Sequence, residues 1–204
     1  MTTATSSSTS IAAAAGSTVA SAADKDDHLP PLYNFPPFFT RQPNAETLQA
    51  QTLQWVTLIL DHFRLKRRFV CSATTEECSR TPFRNARLDR SLKPAHLREI
   101  LEALVAQGAG EWLDGKSKER CLIYWRRPDE WADVLYRHID ASGAQGSVLT
   151  VYELVSGDRR GSGAEELRDL DPAMLKRAVD VLQKRGKAQM MRDGNGDDLG
   201  IKFY

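Results

Sequence analysis

The stretch "LREILEALVAQGAGEWLDGKSKERCLIYW" (residues 97–125) has a counterpart in "LKRAVDVLQKRGKAQMMRDGNGDDLGIKFY" (175–204). In each, a leucine stands eleven residues before a glycine: Leu97 before Gly108, and Leu175 before Gly186. Both continue with a short apolar run, an Asp-Gly pair (Asp114-Gly115; Asp193-Gly194) and a second run. The second run closes on an aromatic ten residues after the turn glycine, at Trp125 and Tyr204. Each copy reads as an amphipathic helix stopped by a glycine that tolerates positive φ, followed by a β-hairpin. Pro94 and Pro172 sit near the helix starts, and Asp171 with Pro172 makes an N-cap and N1 pair.

Each copy is also preceded by an opening helix. The first is expected over about 45–66, with Asn44 as N-cap and Glu46 in the first turn. Its stripe of Leu48, Thr52, Trp55, Ile59 and Phe63 is widened by Leu53, Val56, Leu58 and Leu60, so it should pack on more than one side. The second opening helix spans about 128–142, with Trp131, Val134, Leu135 and Ile139 as its stripe. Between opening and closing helices the second copy has "SVLTVYELVSG" (147–157), a strand and then a short helix from near Thr150. In the first copy the corresponding 69–92 shows no clear period. Helix, short strand, short helix, helix, hairpin is the element order of a winged helix. The chain is therefore expected to be α+β, with tandem winged helices at 44–127 and 128–204, each a three-helix core with a β-hairpin wing.

Outside the repeat, residues 1–28 are Ser, Thr and Ala ending in "DKDDH", too poor in large side chains to offset ordering entropy; they are expected to be a disordered tail. The run "IAAAAGSTVASAA" (11–23) imitates a signal peptide's apolar region but lacks a preceding basic residue. Residues 29–43 form a Pro/aromatic arm containing "NFPPFFTRQP" (34–43). Consecutive prolines favour extended polyproline II, and the aromatics call for a buried surface. Composition leaves two readings level: a lid on the chain's own first domain, or a ligand for another protein.

A net charge of +1 argues against a bulk electrostatic partner such as nucleic acid or an acidic membrane. No apolar run approaches the roughly 20 residues that span a bilayer. Cys71, Cys78 and Cys121 are too few and scattered for a disulfide framework or a metal site, which points to a reducing compartment. Asp61 and His62 point to different helix faces and make no dyad; the Gly-rich "GDRRGSGAEE" (157–166) lacks the lysine of a phosphate loop. No catalytic, cofactor-binding or metal residue is therefore expected. A winged helix raises DNA binding, as in a tandem winged-helix transcription regulator. Lys93, His96 and Arg98 stand beside Glu99 and Glu102, however, and Lys176, Arg177, Lys184, Arg185 and Lys187 sit where helix ends collect cations anyway.

"YNFPPFFTRQPN", "GEWLDGKSKERCLIYWRRPDEWADVLY" and "SVLTVYELVSGD" resemble the vacuolar protein sorting-associated protein 25 family, subunits of the endosomal sorting complex ESCRT-II. The resemblance covers about 32–204; the tail has no counterpart in it, and 69–92 matches only in "TPFRNARL". It implies a non-enzymatic adaptor, cytoplasmic and recruited peripherally to endosomal membranes through its partners. Two copies would attach to the other ESCRT-II subunits, conventionally numbered 22 and 36, through the first winged helix and the arm. That role falls on Tyr33, Phe35, Pro36, Pro37, Phe38 and Phe39, with Phe38 and Phe39 as anchors, which tips the reading of the arm from lid to ligand. The second winged helix would receive a helix of an ESCRT-III subunit, nucleating its assembly in multivesicular body sorting of ubiquitinated cargo.

Overall fold

The computed structural model describes residues 29–155, 164–192 and 198–204. The expected tail, most of the 157–166 loop and the Asp193-Gly194 turn lie outside the described residues. Helix α1 (Ala45–Leu65) starts where Asn44 Oδ1 accepts the Thr47 N–H at 3.0 Å, satisfying one of the first-turn donors. Trp55, Ile59 and Phe63 follow at helical spacing and are fully buried. They pack against helix α2 (Pro94–Ala106) on one side and the arm on another. Leu53 departs from the expected wide face: it is 49% exposed.

Helix α2 buries Leu97, Ile100, Leu101 and Leu104, then stops at Gly108, whose φ of 71° lets its N–H reach Val105 O at 2.9 Å. The next glycine matters for a different reason. A Cβ on Gly110 would meet Leu122 O at 2.5 Å and Leu104 Cδ2 at 2.6 Å, so only glycine lets the helix end lie this close to the sheet.

The 69–92 region resolves into pieces too short to carry a period. Strand β1 (Val70–Ser72) leads into a 3-10 turn (Glu77–Ser79) and the two-residue strands β2 (Arg84–Asn85) and β3 (Arg90–Ser91). A ribbon and one turn thus stand where a second helix would be in the first winged helix. The hairpin follows as β4 (Gly110–Trp112) and β5 (Arg120–Ile123), giving an antiparallel sheet in the order β1-β5-β4.

The second copy repeats this plan with α3 (Pro128–Ala141), β6 (Val148–Leu149), α4 (Val151–Val155), α5 (Ala164–Leu167), α6 (Pro172–Lys184), β7 (Ala188–Arg192) and β8 (Asp198–Phe203). Asp171 caps α6 through the Ala173 N–H at 2.8 Å, and Gly186 ends it with a φ of 69°. The sheet order is β6-β8-β7, so first strand, last strand and middle strand line up as they do in copy one. The repeat seen in the sequence is a repeat of topology.

The two cores meet across the first sheet. Cys71, Cys121 and Ile123 face the first core, whereas Val70 and Leu122, on the opposite pleat, pack against the second. Trp125 touches both; its ring lies 5.0 Å from that of Phe69 and 5.4 Å from that of Trp131. Arg67, held at a φ of 49°, donates to the carbonyls of Glu166 at 2.7 Å and Arg168 at 2.8 Å across the junction.

Candidate partner-docking arm

The arm is not the extended polyproline segment expected. It forms two 3-10 turns, Pro31–Asn34 and Pro36–Phe39, closed by Tyr33 N–H to Pro30 O at 2.9 Å and Phe38 N–H to Phe35 O at 3.0 Å. The reason is local: the proline φ that suits polyproline II equally suits the first positions of a helical turn, where no N–H is needed.

The turns split the six candidate residues into two sets. Tyr33, Phe38 and Phe39 face inward, at 6%, 3% and 5% exposure. Phe38 stacks flat on Trp55 with ring centroids 4.2 Å apart, while Phe39 meets Tyr33 and Trp55 edge-on at 5.3 and 5.4 Å. Phe35 is 54% exposed, and Pro36 and Pro37 are exposed with it. Phe38 and Phe39, expected as the anchors for a partner, are thus buried as lid residues in this conformation. The surface offered outward is Phe35-Pro36-Pro37, beside a hollow lined by Leu32, Thr47, Ala50 and Gln54.

Residues overlooked in the sequence hold the lid. Gln51, buried on α1, donates through Nε2 to Phe38 O at 2.8 Å and Thr40 O at 2.9 Å. Trp55 Nε1 donates to Phe38 O at 3.0 Å. Tyr33 O–H donates to Arg84 O at 2.6 Å, and the buried Asn85 Nδ2 donates back to Tyr33 O at 2.8 Å. The ribbon β2–β3 therefore exists partly as a receptor for the arm. One signal was available: Gln51 is a polar residue a turn before Trp55 on the buried face. Arg41 and Glu99, paired at 2.7 Å, pin the arm's far end to α2.

Elsewhere the chemistry is quiet. All three thiols are buried, and burial pushes Cys78 up to about 11 and Cys121 up to about 12, so neither offers a thiolate. Among the described residues no group of three His, Cys, Asp or Glu is placed to hold a metal, and no helix is long and apolar enough to cross a membrane. Two arginines of α6 and its C-cap are engaged within the chain: Arg177 with Glu111 and Asp180, and Arg185 with Asp133. Lys187 lies 5.1 Å over the Tyr136 ring. A helix presenting phosphate contacts would need such cations unpaired.

Two winged helices sharing a central sheet, with an aromatic arm folded over the first, define a tandem winged-helix protein whose candidate site is a surface for other chains. Comparison with known proteins narrows the class. The family model of the ESCRT-II complex subunit matches residues 32–171. The chain is 42% identical over 173 residues to vacuolar protein-sorting-associated protein 25 of Homo sapiens, covering 84% of this chain and 94% of that one. To its namesake in Arabidopsis thaliana it is 36% identical, covering 87% and 96%. The crystal structure of subunit VPS25 of the endosomal trafficking complex ESCRT-II superposes with a TM-score of 0.73 at 26% identity, covering 85% of this chain and 99% of that chain. The corresponding chain in the crystal structure of endosomal complex ESCRT-II (VPS22/VPS25/VPS36) gives a TM-score of 0.71 at 26% identity, covering 86% and 98%. This chain belongs to the ESCRT-II complex subunit family.

Proposed function

We propose that this chain is a non-enzymatic adaptor of ESCRT-II, two copies per complex, attached to the subunits numbered 22 and 36 through its first winged helix and arm. The observation that carries the reading is Phe35-Pro36-Pro37, held outward by a lid that is itself hydrogen-bonded to α1 and the β2–β3 ribbon. Preorganisation of this kind lowers the ordering entropy of docking. The second winged helix receives a helix of an ESCRT-III subunit, and the chain works in multivesicular body sorting of ubiquitinated cargo at the cytoplasmic face of endosomes, meeting the membrane through its partners. The outer pleat of β6-β8-β7, where Val148, Met191 and Tyr204 are exposed, offers the apolar surface for that helix.

The test is co-purification with the two core subunits. Phe35→Ala with Pro36→Ala and Pro37→Ala should weaken assembly while leaving the fold intact, and undiminished assembly would sink the arm's role. The two ends are separated by Val148→Asp with Met191→Asp, which should release the ESCRT-III helix and keep core assembly. Cutting the chain at Arg127 is the poorer tool, because it strips the second core from Leu122, Phe69 and Trp125.

A further inference from the structure

Strand β1 is an edge with an open side. Ile123 N–H bonds to Phe69 O at 2.7 Å and Ala73 N–H to Glu119 O at 2.9 Å, so residues 69, 71 and 73 pair with β5. By the alternation of an antiparallel ladder, the N–H and C=O groups of Val70 and Ser72 point the other way. None of these four groups has a partner among the described residues.

At its Val70 end that strand borders a crevice of about 760 Å³ at the junction of the two winged helices. One wall is Arg67–Val70; the other is the start of α4 and the Asp169–Pro172 connection into α6. Its lining is apolar at Phe69, Val70, Val151 and Leu170. On the rim, Tyr152 is 76% exposed, far more than an aromatic ring ordinarily is. Asp169 is exposed beside it and makes no ion pair among the described residues. Neither the arm nor the outer pleat of the second sheet includes any of these groups.

We propose that this crevice receives an extended segment of a partner protein, which adds a strand to β1 at Val70 and Ser72. The guest's backbone must be extended, because a helix has its N–H and C=O groups engaged internally and cannot satisfy an open edge. Alternate side chains of such a strand enter the crevice, so an apolar one packs against Val151 and Leu170 under Tyr152. The unpaired Asp169 selects a basic residue next in line. This site is independent of the docking arm, so Phe35→Ala leaves it intact.

The experiment uses the full chain in two stages. Amide exchange read by NMR should show Val70 and Ser72 exchanging at least about tenfold faster than Cys71. Equal protection of all three in the free protein would mean that the edge is already paired, and would overturn the proposal. Random peptides displayed on phage are then selected against the full chain. Those recovered should bind extended, carry a basic residue, protect the Val70 and Ser72 amides, and lose about tenfold in affinity on Val70→Pro. Should Val70→Pro misfold, Tyr152→Ala with Asp169→Lys leaves β1 unaltered and should weaken the same peptides by a similar factor. Failure to recover any peptide, recovery of helical binders, protection elsewhere, or binding equal to wild type in the double variant would each overturn it.

Discussion

The two opening helices pose the same problem and solve it differently. Helix α1 buries Trp55 completely, and α3 buries Trp131 almost as completely. Trp55 is covered by the arm, whose Phe38 stacks on the ring and whose carbonyl accepts its N–H. Trp131 is covered by the preceding domain, through Phe69 and Trp125, with the Arg126 guanidinium 4.6 Å over its ring, and its Nε1 finds no partner among the described residues. Whatever lies N-terminal to each winged helix becomes its lid. In the first copy that lid is a short segment with an outward face left over; in the second it is a whole sheet. This difference explains why the aromatic arm belongs to one repeat alone.

Removing the ring that covers Trp55 is expected to have the largest effect. Phe38→Ala should destabilise the protein by about 3–5 kcal/mol, the range for truncating a buried aromatic. Urea unfolding would measure it, and a loss within error of zero would show that the arm is not part of the first core. A finer contrast comes from keeping the rings and deleting the N–H. Trp55→Phe leaves Phe38 O with Gln51 as its remaining donor and should cost about 0.5–1.5 kcal/mol beyond the lost volume. Trp131→Phe removes a donor with no partner among the described residues, so it should cost the volume alone. Equal costs for the two substitutions would erase the distinction between a tied lid and a packed one.

The smallest effect expected is a pH dependence confined to the first domain. Burial on α2 lowers the pKa of His96 from 6.5, outweighing Glu99, which raises it, while Arg41 lowers it further. The folded chain therefore holds His96 neutral, and the unfolded chain binds its proton more readily. Stability is unaffected well above the ordinary histidine range and declines as pH falls through it. The decline should be shallower in His96→Gln when melting temperature is followed from neutral to mildly acidic pH. An unchanged slope would place the titrating group elsewhere.

The repeat was legible because its signals are covalent in character: a glycine at a fixed distance from a leucine, a proline at N1, an aromatic at a set distance from a turn. Gly108 and Gly186 both adopt the positive φ that this reading required. The segment 69–92 was opaque because strands of two or three residues and a single 3-10 turn leave no periodicity to detect. At the arm, the density of aromatics marked an important surface, but its sidedness was hidden. Which of Phe35, Phe38 and Phe39 turns inward depends on acceptors matched to Gln51 and Trp55, thirteen to seventeen residues away. Such a match between distant backbone and side-chain groups leaves no mark in spacing.

The placement of Leu122 and Val70 on the far pleat of the first sheet has a mechanical consequence. A single three-stranded sheet serves as the party wall of both cores, so the winged helices are not beads on a string. With one partner at the arm and another beyond α3, as proposed, tension between them would be borne by a buried aromatic joint and the Arg67 tether rather than by a slack hinge. Under load the chain behaves as a stiff bracket. Partners docked as proposed would be held at a set reach and angle, and the number of orientations that they must search would fall accordingly.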